Sequence, residues 1–343
     1  ESEEIGPDPK LKTREDYDWA PPAVKHQGRA EIDGVHYILA AEESVRTGAI
    51  LSGQADIARQ ISAPQESLLK DRGVGIISRG TNSMNNQFAF RFDHPLLQDK
   101  RVREAIIHGV DREEILRVLF SESYPLATST VAKTGLAYKD QSAAYGFDPE
   151  ESKRLLDEAG WEPGPDGIRV KDGERLVLRT NTALPQPRSK EVMTMVQDQL
   201  GELGIGIQVN AGDQATQNAD AKDVGKVQIY HSMVGRADYD VITSLYGINN
   251  RDAFLNQDAE GTPIDAHLQE LLDAVLDTPD KEGRIEATEE VQDYITEQAY
   301  ALPLFEEPVV YAVRPGISGF SPESVARPWF YEVSIDAAAS DEE

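Results

Sequence analysis

Phe88, Phe90 and Phe92 alternate with Ala89 and Arg91, and a few residues later Asp99 opens a helix. Period-two alternation marks a strand with one buried face. The next stretch places Val102, Ala105, Ile106 and Gly109 near one helical face. Upstream, strand candidates at 34–40, 55–58 and 74–78 enclose a short helix at 43–52 that closes at Gly53. Strands separated by short helices predict an α/β chain. At 343 residues it has room for two domains.

Asp111 is a strong N-cap, with Glu114 three positions on as in a capping box. Asp148-Pro149-Glu150 opens another helix, which runs to Gly160 before Trp161. Turn clusters at 163–167 and 171–174 bracket a small hairpin, Ile168 to Val170 against Leu176 to Leu178. Residues 188–203 form an amphipathic helix and 205–209 a strand. The polar stretch 211–226 reads as a surface loop, and 239–246 as a strand. Helices are expected at 263–277 and 280–298, extended segments at 302–305 and 309–313, and a frayed acidic end from Asp336.

Thirty-four Lys and Arg stand against 61 Asp and Glu, a net charge of −27. That balance excludes nucleic-acid binding and argues against an anionic membrane surface. Cysteine is absent, which excludes disulfides, thiolate metal sites and thiol nucleophiles. None of His26, His36, His94, His108, His231 and His267 has metal-ligand spacing with another. There is no nucleophile elbow, dinucleotide loop or P-loop. Asp238 and Asp240 share a face of the expected strand, but nothing in the sequence splits their pKa values as acid–base catalysis requires. The residues describe a non-catalytic α/β protein without a cofactor.

Several motifs in order resemble the family 5 extracellular solute-binding proteins of ABC importers. The most specific stretch runs from Phe88 through Asp93, Pro95 and Asp99-Lys100-Arg101-Val102-Arg103 to Ala105-Ile106. Val110 to Ile115 follows, then Tyr145-Gly146-Phe147-Asp148-Pro149 with Leu155-Leu156-Asp157-Glu158-Ala159-Gly160-Trp161. Tyr17-Asp18-Trp19-Ala20-Pro21, Leu51 to Ile57, Tyr239-Asp240-Val241, Asp252 to Leu255 and Leu302-Pro303-Leu304-Phe305 complete the series.

The resemblance implies an α/β, two-lobe, periplasmic-binding-protein-like (type II) fold with mixed sheets, whose first lobe is incomplete. The first lobe would combine 1–86 with 303–343, and the second would be the continuous segment 87–302. The implied function is non-enzymatic capture of a peptide or peptide-like solute between the lobes, with delivery to an ABC permease and its ATPase. The implied location is extracytoplasmic, in the periplasm or as a cell-surface lipoprotein, and the protein would act as a monomer. Family members begin with a long segment that nothing before Tyr17 resembles. The chain is therefore expected to be truncated, with any lipid-anchoring Cys outside it.

Two sets of ligand-binding residues are expected. Asn85, Asn86, Gln87 and Phe88 lie at a lobe crossing, where consecutive amides suit an extended ligand; a hinge strand satisfying its own backbone is the other reading. Tyr246, Gly247, Asn249 and Arg251 form the second set. Tyr246 takes the Trp position and Asn249 the Asp position of the family's G-W-x-x-D pattern. A neutral amide cannot form the ion pair that holds a free ammonium. This departure gives weight to oligosaccharides or other metabolites as ligands, and a solvated turn at 249–251 is the alternative. An Asp/Glu-dependent hydrolase and a non-transport receptor are the competing classes.

Overall fold

The structure is a computed structural model that describes residues 9–20, 24–184, 186–236 and 238–336, with only the backbone of Ser83. Residues 1–8, Pro21 of the Tyr17–Pro21 motif and the acidic end beyond Asp336 lie outside the described residues. The chain divides into two compact units, one of residues 1–80 with 308–343 and one of residues 81–307. The divisions thus fall at 80/81 and 307/308 rather than at 86/87 and 302/303. The reason is pairing: Ser83–Phe90 and Ala301–Phe305 are neighbours in one sheet of the second unit.

The first unit holds a three-stranded antiparallel sheet. Pro308–Val313 lies at its centre, between Ile57–Arg59 and Gly75–Gly80. Helices Glu43–Leu51 and Ala63–Asp71 belong to this unit. Tyr311, Val313, Phe320 and Val333 form a small core, and the Tyr311 hydroxyl donates to the Ala326 carbonyl at 2.7 Å. Of the stretch expected to be extended at 34–40, only Gly34–His36 pairs, with Lys10–Lys12.

The second unit is built on a five-stranded mixed sheet. Its order is Gly206–Asn210, Val177–Asn181, Ile229–Gly235, Ser83–Phe90, Ala301–Phe305. Gly206–Asn210 and Val177–Asn181 run parallel, while Ser83–Phe90 is antiparallel to both neighbours. Phe88 and Phe90 enter one apolar cluster and Ala89 the other, as period-two alternation requires. Each buried ring contributes roughly 2–3 kcal/mol of hydrophobic stabilisation. The first cluster also takes Val102, Ile106, Ile115, Leu155, Leu156, Val192, Val196 and Leu200 from helices Lys100–Gly109, Arg112–Leu119, Pro149–Glu158 and Ser189–Gly201. The second takes Leu268, Leu272, Val291 and Ile295 from helices Ala266–Asp277 and Lys281–Glu297.

Aspartates start five of these six helices, and Ser189–Gly201 follows Arg188 instead. Asp99, Asp111, Asp148, Asp265 and Asp280 each accept a backbone N–H of the first turn, at 2.8 to 3.0 Å. At Asp111 the box closes differently from the expectation. Gln199 Oε1, not Glu114, accepts the Asp111 N–H at 3.1 Å, while Gln199 Nε2 donates to Glu114 Oε2 at 3.2 Å. The sequence-distant amide displaces the local carboxylate because helix Ser189–Gly201 packs there.

Three local expectations are corrected. Residues 239–246 form a 3₁₀ turn, Tyr239–Ile242, and a short helix, Thr243–Tyr246, rather than a strand. Asp238 accepts the Tyr239 N–H at 2.6 Å and Thr243 Oγ1 donates to the Asp240 carbonyl at 2.7 Å, so polar side chains satisfy a helical start locally. The stretch 211–226 contains helix Gln214–Ala221, capped by Asp213 and held by buried Gln217 and Ala221. In the expected hairpin, Val170 pairs with Arg175 and Lys171 with Glu174, while Val177–Asn181 leaves to join the large sheet. The strand Ile229–Gly235 is a further neighbour of Ser83–Phe90, antiparallel to it.

Arg101, Arg103 and Trp161 of the family-like motifs are scaffold. Arg103 donates to the carbonyls of Leu97, Gln98 and Gln298, and Arg101 to Asp99 and the Glu158 carbonyl. Trp161 is buried in the first cluster.

Candidate functional site

Asn85, Asn86, Gln87 and Phe88 are consecutive on the Ser83–Phe90 strand, which has a hydrogen-bonded neighbour on each side. All four are 0% exposed. Three buried side-chain amides in a row are costly unless each polar atom is paired. The pairing is uneven, and the unevenness defines the site.

Asn85 Nδ2 donates to the Ser129 carbonyl at 2.8 Å, while its Oδ1 has no protein partner. Asn86 is fully engaged. Its Nδ2 donates to Gln186 Oε1 at 2.9 Å and to Glu307 Oε2 at 3.0 Å. Its Oδ1 accepts from His231 Nε2. An amide oxygen only accepts, so His231 carries its proton on Nε2 and leaves Nδ1 as a buried acceptor without a protein partner. Burial pushes the His231 imidazole down to about 3, so the ring is neutral. Burial pushes the Glu307 carboxyl up to about 7, and the hydrogen bond from Asn86 opposes this only in part.

Gln87 stands apart, because neither its Oε1 nor its Nε2 has a protein partner. Its cross-strand neighbours are Ser232 and Pro303. Ser232 Oγ also lacks a protein partner. Directly opposed residues project from the same sheet face, so the Ser232 hydroxyl and the Gln87 amide form one neutral array of donors and acceptors. Phe88 meets the His231 ring edge-on at 5.1 Å.

The second set follows the Thr243–Tyr246 helix. Tyr246 is 0% exposed, and its hydroxyl has no protein partner. Burial raises its phenol pKa, with Tyr145 and Asp252 adding to the effect. At Gly247 a Cβ would lie 2.7 Å from the Thr243 carbonyl oxygen, so only glycine lets the chain leave the helix here. Asn249 is exposed at φ 57°, a left-handed position that Asn tolerates, and its N–H donates to Gln257 Oε1 at 2.7 Å. Arg251 is exposed with Nε 3.6 Å from Asp252 Oδ2. Burial raises the Asp252 carboxyl, and Arg251 draws it back.

Among the described residues no hydrogen bond joins the two sets. The structure instead brings Gln186, His231, Ser232 and Glu307 to the amide strand, four residues that the motif reading missed. His231 and Ser232 had a signal in the β-branched and aromatic composition of 229–235. Gln186 and Glu307 had none, because each reaches Asn86 from a distant part of the sequence. No group of three or more His, Cys, Asp or Glu able to hold a metal occurs among the described residues, nor is any described helix long and apolar enough to cross a membrane.

Residues 6–254 match the model of the bacterial extracellular solute-binding proteins, family 5. The oligopeptide-binding protein OppA of Mycobacterium bovis is 30% identical over 237 residues, which are 67% of this chain and 39% of that protein. The glutathione-binding protein GsiB of Salmonella typhi is 23% identical over 86% of this chain and 56% of its own length. The chain thus spans about two-fifths to just over half of the length of these curated relatives. In fold, it resembles NikA of Brucella suis, solved with Fe(III)-EDTA, with a TM-score of 0.79 at 20% identity over 96% of this chain and 68% of that one. It also resembles AppA of Bacillus subtilis, solved with a nonapeptide, with a TM-score of 0.68 at 17% identity over 95% and 63% of the two chains. The expected type II binding-protein architecture is that of these neighbours, and the chain belongs to the family 5 bacterial extracellular solute-binding proteins.

Proposed function

We propose that this chain is the solute-capturing part of an ABC importer, that it takes a peptide or peptide-like solute outside the cytoplasm, and that it passes it to a membrane permease as a monomer. The observation that carries this reading is Gln87, buried with both amide atoms lacking a protein partner, beside the Ser232 hydroxyl in the same state. Each unpaired buried polar group costs about 1–3 kcal/mol. A solute with one donor and one acceptor per unit offsets that cost, and a peptide link has that pattern. The names of the relatives, oligopeptide-binding and glutathione-binding, support the same class. In this reading Asn85, Asn86, Gln87 and Phe88 contribute contacts from the central strand, and Tyr246, Gly247, Asn249 and Arg251 from the segment after the short helix.

A second reading, an oligosaccharide or other non-peptide solute, is favoured by one observation. Asn249 presents a neutral amide, and its backbone N–H is already taken by Gln257. Calorimetric titration separates the two readings. Mixed tri- to pentapeptides and mixed oligosaccharides are titrated into the protein, and saturable peptide binding at micromolar concentration or below is expected. Binding of the sugars alone would replace the peptide reading, and cleavage of the peptides during titration would point to an enzyme.

A further inference from the structure

Glu307 is a carboxylate without a counter-charge. It is half-buried, and its Oε2 accepts from Asn86 Nδ2 at 3.0 Å. Among the described residues no Lys, Arg or His forms an ion pair with it. The other groups around Asn86 are the Gln186 amide and His231, whose ring is neutral. Its neighbour Glu306 accepts from the Lys133 backbone N–H at 3.3 Å and adds no cation. Thr81 ties the Glu307 backbone, since Thr81 N and Oγ1 both donate to the Glu307 carbonyl, at 3.4 and 3.0 Å. The carboxylate is therefore fixed at both ends, by Thr81 at its backbone and by Asn86 at its head.

Withdrawing a carboxylate from water without a cation is unfavourable, and the neutral amide of Asn86 compensates only part of that cost. A cation delivered from outside removes the remainder and gains a charge-assisted hydrogen bond. Only Oε2 is engaged by the protein, which leaves Oε1 to accept from such a group. Arg251, the cation of the second set, has its ion-pair contact with Asp252, at 3.6 Å.

We propose that Glu307 is the residue of this chain that receives a cationic group of the bound solute, a primary ammonium or a guanidinium, held in place by Asn86. The inference rests on the reading of the chain as a peptide-capturing module. It names the group in that solute that the protein selects.

The test compares the parent protein with Glu307→Gln, which keeps the shape and the Asn86 partner but removes the charge. Each is titrated with mixed tri- to pentapeptides bearing free amino termini, and with the same peptides after N-acetylation. The parent is expected to prefer the free-amino mixture by about 10- to 100-fold. Glu307→Gln is expected to lose that preference while it still binds the acetylated mixture. A variant that keeps the preference overturns the proposal for Glu307 but leaves the peptide reading standing. If neither mixture binds the parent, the peptide reading fails, and a measurement without peptide decides the Glu307 question. The carboxyl carbon resonance of Glu307 is followed by NMR against pH, with and without excess agmatine, which carries both an ammonium and a guanidinium. A lowered titration midpoint with agmatine supports the cation site, and an unchanged midpoint overturns it.

Discussion

Arg112 Nη1 lies 2.7 Å from the Pro303 carbonyl oxygen, and 191 positions of sequence separate the two residues. The same guanidinium donates to the carbonyls of Ala127 and Tyr145, at 2.8 and 2.6 Å. One buried cation thus satisfies three carbonyls from three segments of the second unit. Burial pushes its pKa down to about 10, so it stays charged at neutral pH.

Arg112→Met should therefore leave three buried carbonyls without this donor and cost roughly 3–5 kcal/mol. Arg112→Lys should recover only part of that loss, because a single ammonium lacks the planar fork that reaches three acceptors. Urea midpoints measured on the whole chain give both values. A Met variant within about 1 kcal/mol of the parent would contradict the assignment.

Gln87→Met replaces a buried amide that has no protein partner with an apolar chain of similar volume. Unfolding stability should hold or rise, by up to about 1–2 kcal/mol, because an unpaired polar group leaves the interior. Peptide affinity should fall at the same time. Thermal unfolding and calorimetry on one preparation separate the effects. A destabilised variant with unchanged affinity would make Gln87 structural.

Asp265 caps helix Ala266–Asp277 and accepts from the hydroxyls of Tyr294 and Tyr300, at 2.9 and 2.7 Å. Burial works against its ionised form, but the Leu268 N–H and the two hydroxyls outweigh it, so the carboxyl titrates below its ordinary value of 3.8. Its stabilising contribution is complete above pH 3.8 and disappears as pH falls through the lower folded value. Asp265→Ala should cost about 1–3 kcal/mol near neutrality, and the gap to the parent should narrow in strong acid. Denaturation series across that range test the dependence.

Glu307 has the opposite sign. Its folded form binds a proton more tightly than an ordinary glutamate, about 7 against 4.5. The stabilisation from this is complete below pH 4.5 and is lost as pH rises through about 7. Glu307→Gln should match the parent in acid and exceed it by at most about 3 kcal/mol in mild alkali. An equal response of both proteins to pH would show that the carboxyl is well solvated.

Gly319 sits at φ +71°, and a Cβ there would lie 1.8 Å from the Glu332 carbonyl oxygen. Gly319→Ala must move that backbone and should destabilise the first unit by more than about 2 kcal/mol. Faster proteolysis within that unit, with the second unit still protected, is the expected signature.

The sequence alone determined what local chemistry can determine. Asp99, Asp111, Asp148 and Asp280 announce helix starts because a cap needs only the next few N–H groups. The alternation at Phe88, Ala89 and Phe90 announces a strand, although both of its faces are buried and Phe92, beyond its end, joins the opposite cluster. The ordered motifs announced the family, since they are contiguous signatures of the scaffold. Tertiary structure decided whatever depends on partners far along the chain. It turned 239–246 into a helical segment, moved Val177–Asn181 from a hairpin to the large sheet, and closed the Asp111 cap with Gln199. It also assembled the node at Asn86. Gln186, His231 and Glu307 come from three separate segments, and their burial and shared hydrogen bonds exist only once the chain has folded around them.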